Sequence, residues 1–227
     1  MELSDAVRRR RMVRSFSGEP VPDEVLDQVL ELACSAPSAG NTGGWDAVVL
    51  TGPEETSRFW EATTTADWRA RSRRWPGLGR APVVVALFVD PDAYRARYRE
   101  PDKARSGLGS DGETEVTGAA GATGATGVDA ADVSGEAAGP WPVPYWFVDG
   151  GFSAMVMLLA AVDAGLGACF LGNFRGETAL RNALGVPDDR RYIGAVLMGE
   201  PGGVDPPSPS LARGRRRRSE VVHRGRW

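Results

Sequence analysis

One segment constrains this chain more than any other. Residues 149–165, DGGFSAMVMLLAAVDAG, spell a helix that is apolar on nearly every side. A helix with one solvent face keeps a polar stripe, whereas one that is apolar all round has to be covered on more than one side. The apolar run from Phe152 to Val162 is too short to span a bilayer and is bounded by Asp149 and Asp163, so it reads as a core helix and not as a membrane segment. Gly165-Leu166-Gly167 ends it, because glycine accepts the left-handed cap. Burial on several sides asks for sheet, helix or a second subunit around it, and a dimer interface is one way to supply that cover.

The elements around this helix are readable from period and punctuation. Residues 3–12 suggest a short helix with Leu3, Ala6 and Val7 on one side. Pro22 followed by Asp23 and Glu24 is a helix start, since proline suits the first turn and acids suit the positive end of the dipole. Val25, Leu26, Val29, Leu30 and Ala33 then recur at helical spacing, predicting an amphipathic helix over 23–36 that Pro37 terminates. Residues 46–51, 82–89, 168–171 and 192–198 read as strands, and 53–65 and 177–184 as helices. The strand PVVVALFV is apolar throughout and so buried on both faces. Alternating strands and helices imply a layered α+β or α/β sandwich. Between about 104 and 140 the pattern fails: the segment is rich in Gly, Ala and Thr with almost no large apolar residue, and it is expected to be a flexible loop. It interrupts one core without separating two, which predicts a single domain over 1–227 with one insertion.

Length and charge narrow the function. A chain of 227 residues can build a sizeable core, and a formal charge of −3 does not suggest a nucleic-acid or membrane-surface binder. The arginines nevertheless cluster, at Arg8 to Arg14, Arg69 to Arg80 and Arg213 to Arg218. Separate basic patches on a near-neutral protein fit a small anion better than a polyanion. The N-terminus lacks the apolar stretch of a secretory signal, so a cytoplasmic location is expected. Cys34 and Cys169 read as two buried small hydrophobes. His223 is the only histidine, which leaves no multi-histidine metal site.

Three short motifs carry chemistry when taken together. Arg10-Arg11-Met12-Val13-Arg14-Ser15-Phe16 joins a helix end to an extended stretch. Ala36-Pro37-Ser38-Ala39-Gly40-Asn41, followed by Gly43-Gly44-Trp45, stands between a helix and a strand. Arg213-Gly214-Arg215-Arg216 precedes Glu220-Val221-Val222-His223 near the C-terminus. Their order and spacing resemble the nitroreductase family, whose members show R-R-S-V-R-x-F, then A-P-S-x-x-N-x-Q-P-W, then a basic pair near the end. Ala164 to Gly172 and Val196-Leu197-Met198-Gly199-Glu200-Pro201 are also similar to that family. The resemblance covers the chain except roughly 102–140.

That resemblance implies a nitroreductase-like α-β-α sandwich with a mixed, mainly antiparallel sheet and a dimer-forming central helix. It implies a homodimer with two sites for flavin mononucleotide (FMN) at the subunit interface. The FMN phosphate is dianionic and suits bidentate guanidinium donors. By the family's pattern Arg10, Arg11, Met12 and Arg14, with Arg213, Arg215 and Arg216 from the other end of the chain, surround the phosphate and ribityl chain. A cation near the pyrimidine edge, Arg10 or Arg14, favours the anionic reduced cofactor. The turn Pro37-Ser38-Ala39 with Asn41 reaches the isoalloxazine ring from the partner subunit. Phe170, Leu171, Gly172 and Asn173 lie near the ring's N5 and O4 edge, where glycine allows close approach. Two positions depart from the pattern: Met12 replaces a serine, and Gly43-Gly44 replaces Gln-Pro, predicting a looser turn. Arg69, Arg71, Arg73 and Arg74 are undiscriminated candidates for a mid-chain flavin contact.

The activity implied is ping-pong hydride transfer, with NAD(P)H as transient donor and an oxidised acceptor such as a nitro compound or quinone. No side chain has to be a strong acid or base, because the cofactor carries the chemistry. The segment 104–140 would then wall the site and select the acceptor. Two other readings share the same FMN site: a non-enzymatic flavin-sequestering protein, and a flavin-dependent dehydrogenase or oxidase of a biosynthetic pathway. Residue patterns give little to the remaining possibilities. Ser38 lacks a G-x-S-x-G context, and Gly165-x-Gly167 precedes a strand where a dinucleotide fingerprint follows one. Arg215 to Arg218 lacks the interleaved aromatics of a nucleic-acid patch. Trp141, Tyr145 and Trp146 fit either core packing or an active-site wall.

Overall fold

The computed structural model describes residues 1–71, 76–109, 141–172 and 176–227. In chain order these form α1 (Leu3–Arg9), α2 (Asp23–Cys34), β1 (Trp45–Thr51), α3 (Gly52–Thr63), α4 (Ala66–Arg71), β2 (Val83–Val89), α5 (Pro91–Arg99), α6 (Tyr145–Asp163), β3 (Gly167–Leu171), α7 (Glu177–Leu184) and β4 (Arg191–Gly199). The strands make one sheet in the order β1-β2-β4-β3, with every neighbouring pair antiparallel. A parallel bridge between Met12 and Ala168 extends the sheet beyond β3 and makes it mixed.

The period of two along β2 and β4 divides the core into two layers. Val83, Val85, Leu87, Val196 and Met198 face α2 and α6, meeting Leu26, Val29, Met157, Leu158 and Ala161. Val84, Ala86, Phe88, Ala195 and Leu197 face the other way, toward Phe59 and Trp60 of α3 and Leu180 of α7. All seven residues of β2 are buried, as its unbroken apolar run requires. The result is the expected α-β-α sandwich.

Two expectations are corrected here. Cys34 is exposed. It follows Ala33, which points at the core, and one further step turns a helix by ~100°, away from that face. The central helix starts at Tyr145, not at 149. α5 falls where no element is expected, and its start is well specified: Asp90 caps it by accepting from Asp92 N–H (2.9 Å) and Ala93 N–H (3.0 Å), with Pro91 in the first turn. Of the predicted loop over 104–140, the part from 110 onward lies outside the described residues.

Among the described residues α6 is the one helix with the length and apolarity to cross a membrane, and it packs on the sheet through Gly150, Ser153, Ala154, Met157 and Ala161. Its opposite side is bare: Val148, Phe152 and Met155 are 37%, 45% and 40% exposed at helical spacing. Among the described residues, the cover this helix calls for is therefore only half supplied.

Candidate functional site

The arginine-rich N-terminal segment runs along the β3 edge of the sheet. Val13 N–H donates to Ala168 O (2.9 Å), and Phe170 N–H donates to the Met12 sulfur (3.4 Å). Met12 thus occupies the serine position of the family pattern with a packing role, its thioether taking an edge-strand donor. Next to it, Cys169 is buried, and burial pushes its thiol pKa up against the opposing pull of the Arg14 charge. Arg14 donates from Nη1 to Met12 O (3.1 Å). Arg10 closes α1, and its Nη1 is buried with no hydrogen-bond partner among the described residues. Arg11 points elsewhere, into an ion pair with Asp205 (2.7 Å), whose other oxygen accepts from Arg14 N–H (3.2 Å).

Asp205 stands at the root of the C-terminal segment, which Gly202 N–H to Ser15 O (2.9 Å) also ties to the same stretch. Beyond Ser208 the chain is exposed throughout, including Arg213, Arg215 and Arg216. Arg216 donates to Glu220 O, and among the described residues the side chains of Arg213 and Arg215 make no hydrogen bond or ion pair. Met12 and Val13 therefore tie the segment to β3, with Arg14 running alongside the strand and Arg10 and Arg11 ahead of the bridge, while the C-terminal arginines lie in solvent. Asn173 lies outside the described residues, as do Arg73 and Arg74. Arg69 is spoken for: it donates to Trp60 O and Thr64 O, closing the end of α3.

The second motif forms a single 3-10 turn, Ala39–Asn41, just before β1. Asn41 adopts φ 54, the only non-glycine at positive φ among the described residues, and its side chain is exposed. The turn is not loose. Ser38 Oγ accepts from Gly43 N–H (2.8 Å), Thr42 Oγ1 donates to Ala39 O (2.6 Å), and Arg97 Nε donates to Gly40 O (2.8 Å). Ala39 N–H donates to Oδ2 of Asp149 in α6 (2.8 Å), which also accepts from Tyr94 O–H (2.8 Å). Burial, and then the Asp149 contact, raise the Tyr94 phenol far above its ordinary pKa, so it remains a donor. Gly44 is buried under the Tyr94 ring, where a Cβ would lie 2.5 Å from Cε2. The glycine pair is thus partly a packing requirement.

Asp149, Tyr94 and Arg97 were not singled out by sequence reasoning. A lone acid at the edge of an apolar helix was the available signal. Trp141 is 6% exposed and meets Tyr98 edge-on at 4.7 Å, so it belongs to the packing of α5, while Tyr145 is 38% exposed.

The two halves of the expected site lie at opposite edges of the sheet. The turn precedes β1 and the arginines flank β3, with β2 and β4 between. At the usual inter-strand spacing, β1 and β3 are separated by roughly 14 Å, and the Met12 segment lies about 5 Å farther out. The turn and the C-terminal end of β3 open toward the same end of the sheet, since Trp45 pairs with Val89, Val89 with Arg191, and β3 runs from Gly199 toward Ala195; the parallel Met12–Ala168 bridge directs Arg14 toward that end and leaves Arg10 and Arg11 on the other side of Met12.

Comparison with known proteins agrees with the fold. The family model described as "Nitroreductase family" matches residues 7–123 and 138–200. A 4-nitrobenzoate reductase from a Nocardioides strain is 29% identical over 209 residues, covering 88% of this chain and 81% of its own. Iodotyrosine deiodinase 1 of Rattus norvegicus is 42% identical over 104 residues, 38% of this chain, and the alignment spans only 36% of that protein. The crystal structure of an oxidized iodotyrosine deiodinase bound to FMN and 3-iodo-L-tyrosine superposes with a TM-score of 0.60 at 18% identity, covering all of both chains, which is a likeness of fold. The layered fold, the motif order and the extent of the family match lead to one conclusion: this chain belongs to the nitroreductase family.

Proposed function

We propose that this chain is an FMN-dependent oxidoreductase that acts as a homodimer and moves electrons from NAD(P)H to a small oxidised acceptor. The observation that carries the reading is Arg10 Nη1, buried and without a hydrogen-bond partner among the described residues of a nitroreductase-family chain. A buried guanidinium nitrogen without an acceptor is costly, and a phosphate oxygen would satisfy it with a charge-assisted bond.

Arg10 and Arg14 would hold the phosphate and the pyrimidine edge. Backbone groups of Leu171 and Gly172, at the open end of β3, would meet the ring's other edge. Ser38 and Asn41 would approach the ring on the turn of the second subunit. Within one chain these groups stand at opposite edges of the sheet, on strands roughly 14 Å apart with β2 and β4 between. A second copy docked on the bare stripe Val148, Phe152 and Met155 would bury the stripe and offer its own turn to the β3 edge. The exposed side chains of Arg213 and Arg215 would close over the phosphate in that assembly, and Arg216 would join them by leaving Glu220 O. When bound, FMN supplies two-electron chemistry, taking hydride from NAD(P)H and passing the electrons on in alternating half-reactions. The chain's own part is to bind, orient and exclude water. The 4-nitrobenzoate reductase and the FMN-bound deiodinase structure support an aromatic acceptor class.

The test is an absorbance spectrum of the purified protein with added FMN, followed by anaerobic NADPH. Stoichiometric flavin that bleaches is the expected result. Protein that rejects FMN overturns the cofactor assignment, and bound flavin that neither NADPH nor NADH bleaches overturns the nicotinamide-driven activity.

A further inference from the structure

Asp149 is 3% exposed at the head of an apolar helix stretch, and no ion pair to it occurs among the described residues. An apolar side chain would pack at such a place at less cost to stability than a buried carboxyl group. What the carboxyl does is join two elements: one oxygen, Oδ2, receives Ala39 N–H from the turn and Tyr94 O–H from α5, each at 2.8 Å. Tyr94 is itself fully buried, edge-on to Trp141 and Trp146 at 6.2 and 6.1 Å, and its ring fills the space over Gly44. From the other side Arg97 holds Gly40 O, with its guanidinium fixed by Asp102 (2.7 and 2.8 Å). The turn is gripped between α5 and α6 at successive residues, 39 and 40. The exposed Val148 and Phe152 flank Asp149 on α6, so the surface that would meet a second copy and the group that holds the turn share one helix.

Resting on the flavin reading above, we propose that Asp149 is a positioning residue of the flavin site: it sets where the Ser38–Asn41 turn stands relative to the cofactor ring in the neighbouring subunit, and Tyr94 acts through it. Asp149 touches no cofactor itself. Its effect on binding arises because a turn displaced by a fraction of an ångström loses its contacts with a rigid ring.

The experiment uses Asp149→Ala, Tyr94→Phe and the double variant in the full chain, with Leu180→Ala as a control on the opposite layer. Alanine removes the oxygen that accepts both bonds, whereas an asparagine amide oxygen would still accept them. FMN dissociation constants come from flavin fluorescence, alongside the visible spectrum of bound FMN, Tm and the dimer fraction. Asp149→Ala is expected to weaken FMN binding tenfold or more and to shift the bound-flavin absorption band, and Asp149→Asn to recover much of both. Tyr94→Phe should move both in the same direction as Asp149→Ala by less, and the double variant should bind no more weakly than Asp149→Ala alone, as coupled residues do. Leu180→Ala should lower Tm while leaving affinity and band position unchanged. Variants at 149 and 94 that lose Tm but keep the wild-type affinity and spectrum overturn the proposal. If Asp149→Ala does not fold, unchanged affinity and spectrum in Tyr94→Phe overturn it alone. Wild-type protein that binds no FMN sinks the function assignment, and this proposal with it. Wild-type protein that binds FMN while the variants match it sinks this proposal only.

Discussion

Gly44→Ala is the sharpest test of how this chain has rebuilt its motif turn. The added methyl would lie 2.5 Å from Tyr94 Cε2, 3.0 Å from Cδ2 and 3.3 Å from Asp90 O. Tyr94 cannot swing aside cheaply, because its ring is wedged between Trp141 and Trp146 and its hydroxyl is tied to Asp149. Overpacking of this kind costs about 1–3 kcal/mol, and a strained or lost hydroxyl bond adds about 1 kcal/mol. Replacing glycine by alanine returns about 0.5–1 kcal/mol by restricting the unfolded chain. The balance is a loss of about 2 kcal/mol, which for a chain of this size lowers Tm by roughly 4–8 °C. Gly43→Ala is the comparison: Gly43 has φ +62 and nothing within 4 Å of a Cβ, so only backbone strain opposes it, about 1 kcal/mol. Urea unfolding followed by circular dichroism measures both, and Gly44→Ala with Tyr94→Ala should be less destabilising than the sum of the singles. A Gly44→Ala protein as stable as wild type, or strict additivity with Tyr94→Ala, would refute the packing explanation for the glycine pair.

Two further outcomes are expected. Arg10→Ala should weaken FMN binding by about 1.5–3 kcal/mol, roughly 10–150-fold, with little change in Tm, as measured by flavin titration; unchanged affinity would mean the phosphate lies elsewhere. The Asp102 carboxyl sits below its ordinary value of 3.8 because Arg97 hydrogen-bonds it. A folded-state pKa below the unfolded one contributes stability that is present above 3.8 and lost as pH falls through the lower folded value. Asp102→Asn should therefore be nearer to wild type in acid than at neutral pH in thermal melts, and a difference that grows on acidification contradicts the pairing.

The layers of the fold were legible because period and punctuation were clean. The β2 run, the Pro22 start and the Gly165 exit each correspond to an element found within a residue or two. α5 was not, because its only buried side chain is Tyr94 and one residue makes no stripe, even though Asp90-Pro91 announces a helix start. α6 begins early because Tyr145 and Trp146 extend it before the apolar period sets in. Cys34 shows how one step around a helix reverses exposure. The site was legible only in part. The arginine segment is joined to the start of β3, at Ala168, by a parallel bridge that no local pattern announces, and its meaning came from family resemblance. The Asp149–Ala39 bond links residues 110 positions apart, and nothing near either residue signals it. The glycine pair read as loosening, since glycine frees an isolated chain, yet beneath a large ring it is what lets the turn close.

The central claim is that each flavin sits between two copies, with the arginines of one and the turn of the other. Co-expressed, differently tagged chains test it, one carrying Arg10→Ala and the other Asn41→Trp, which places an indole where the proposed assembly would put the ring. Tandem purification isolates the heterodimer, and flavin titration counts its tight sites. Composite sites predict one tight FMN per heterodimer, because one interface pairs an intact arginine edge with an intact turn. No tight FMN at all would contradict the account, since sites built within single chains would all carry a lesion.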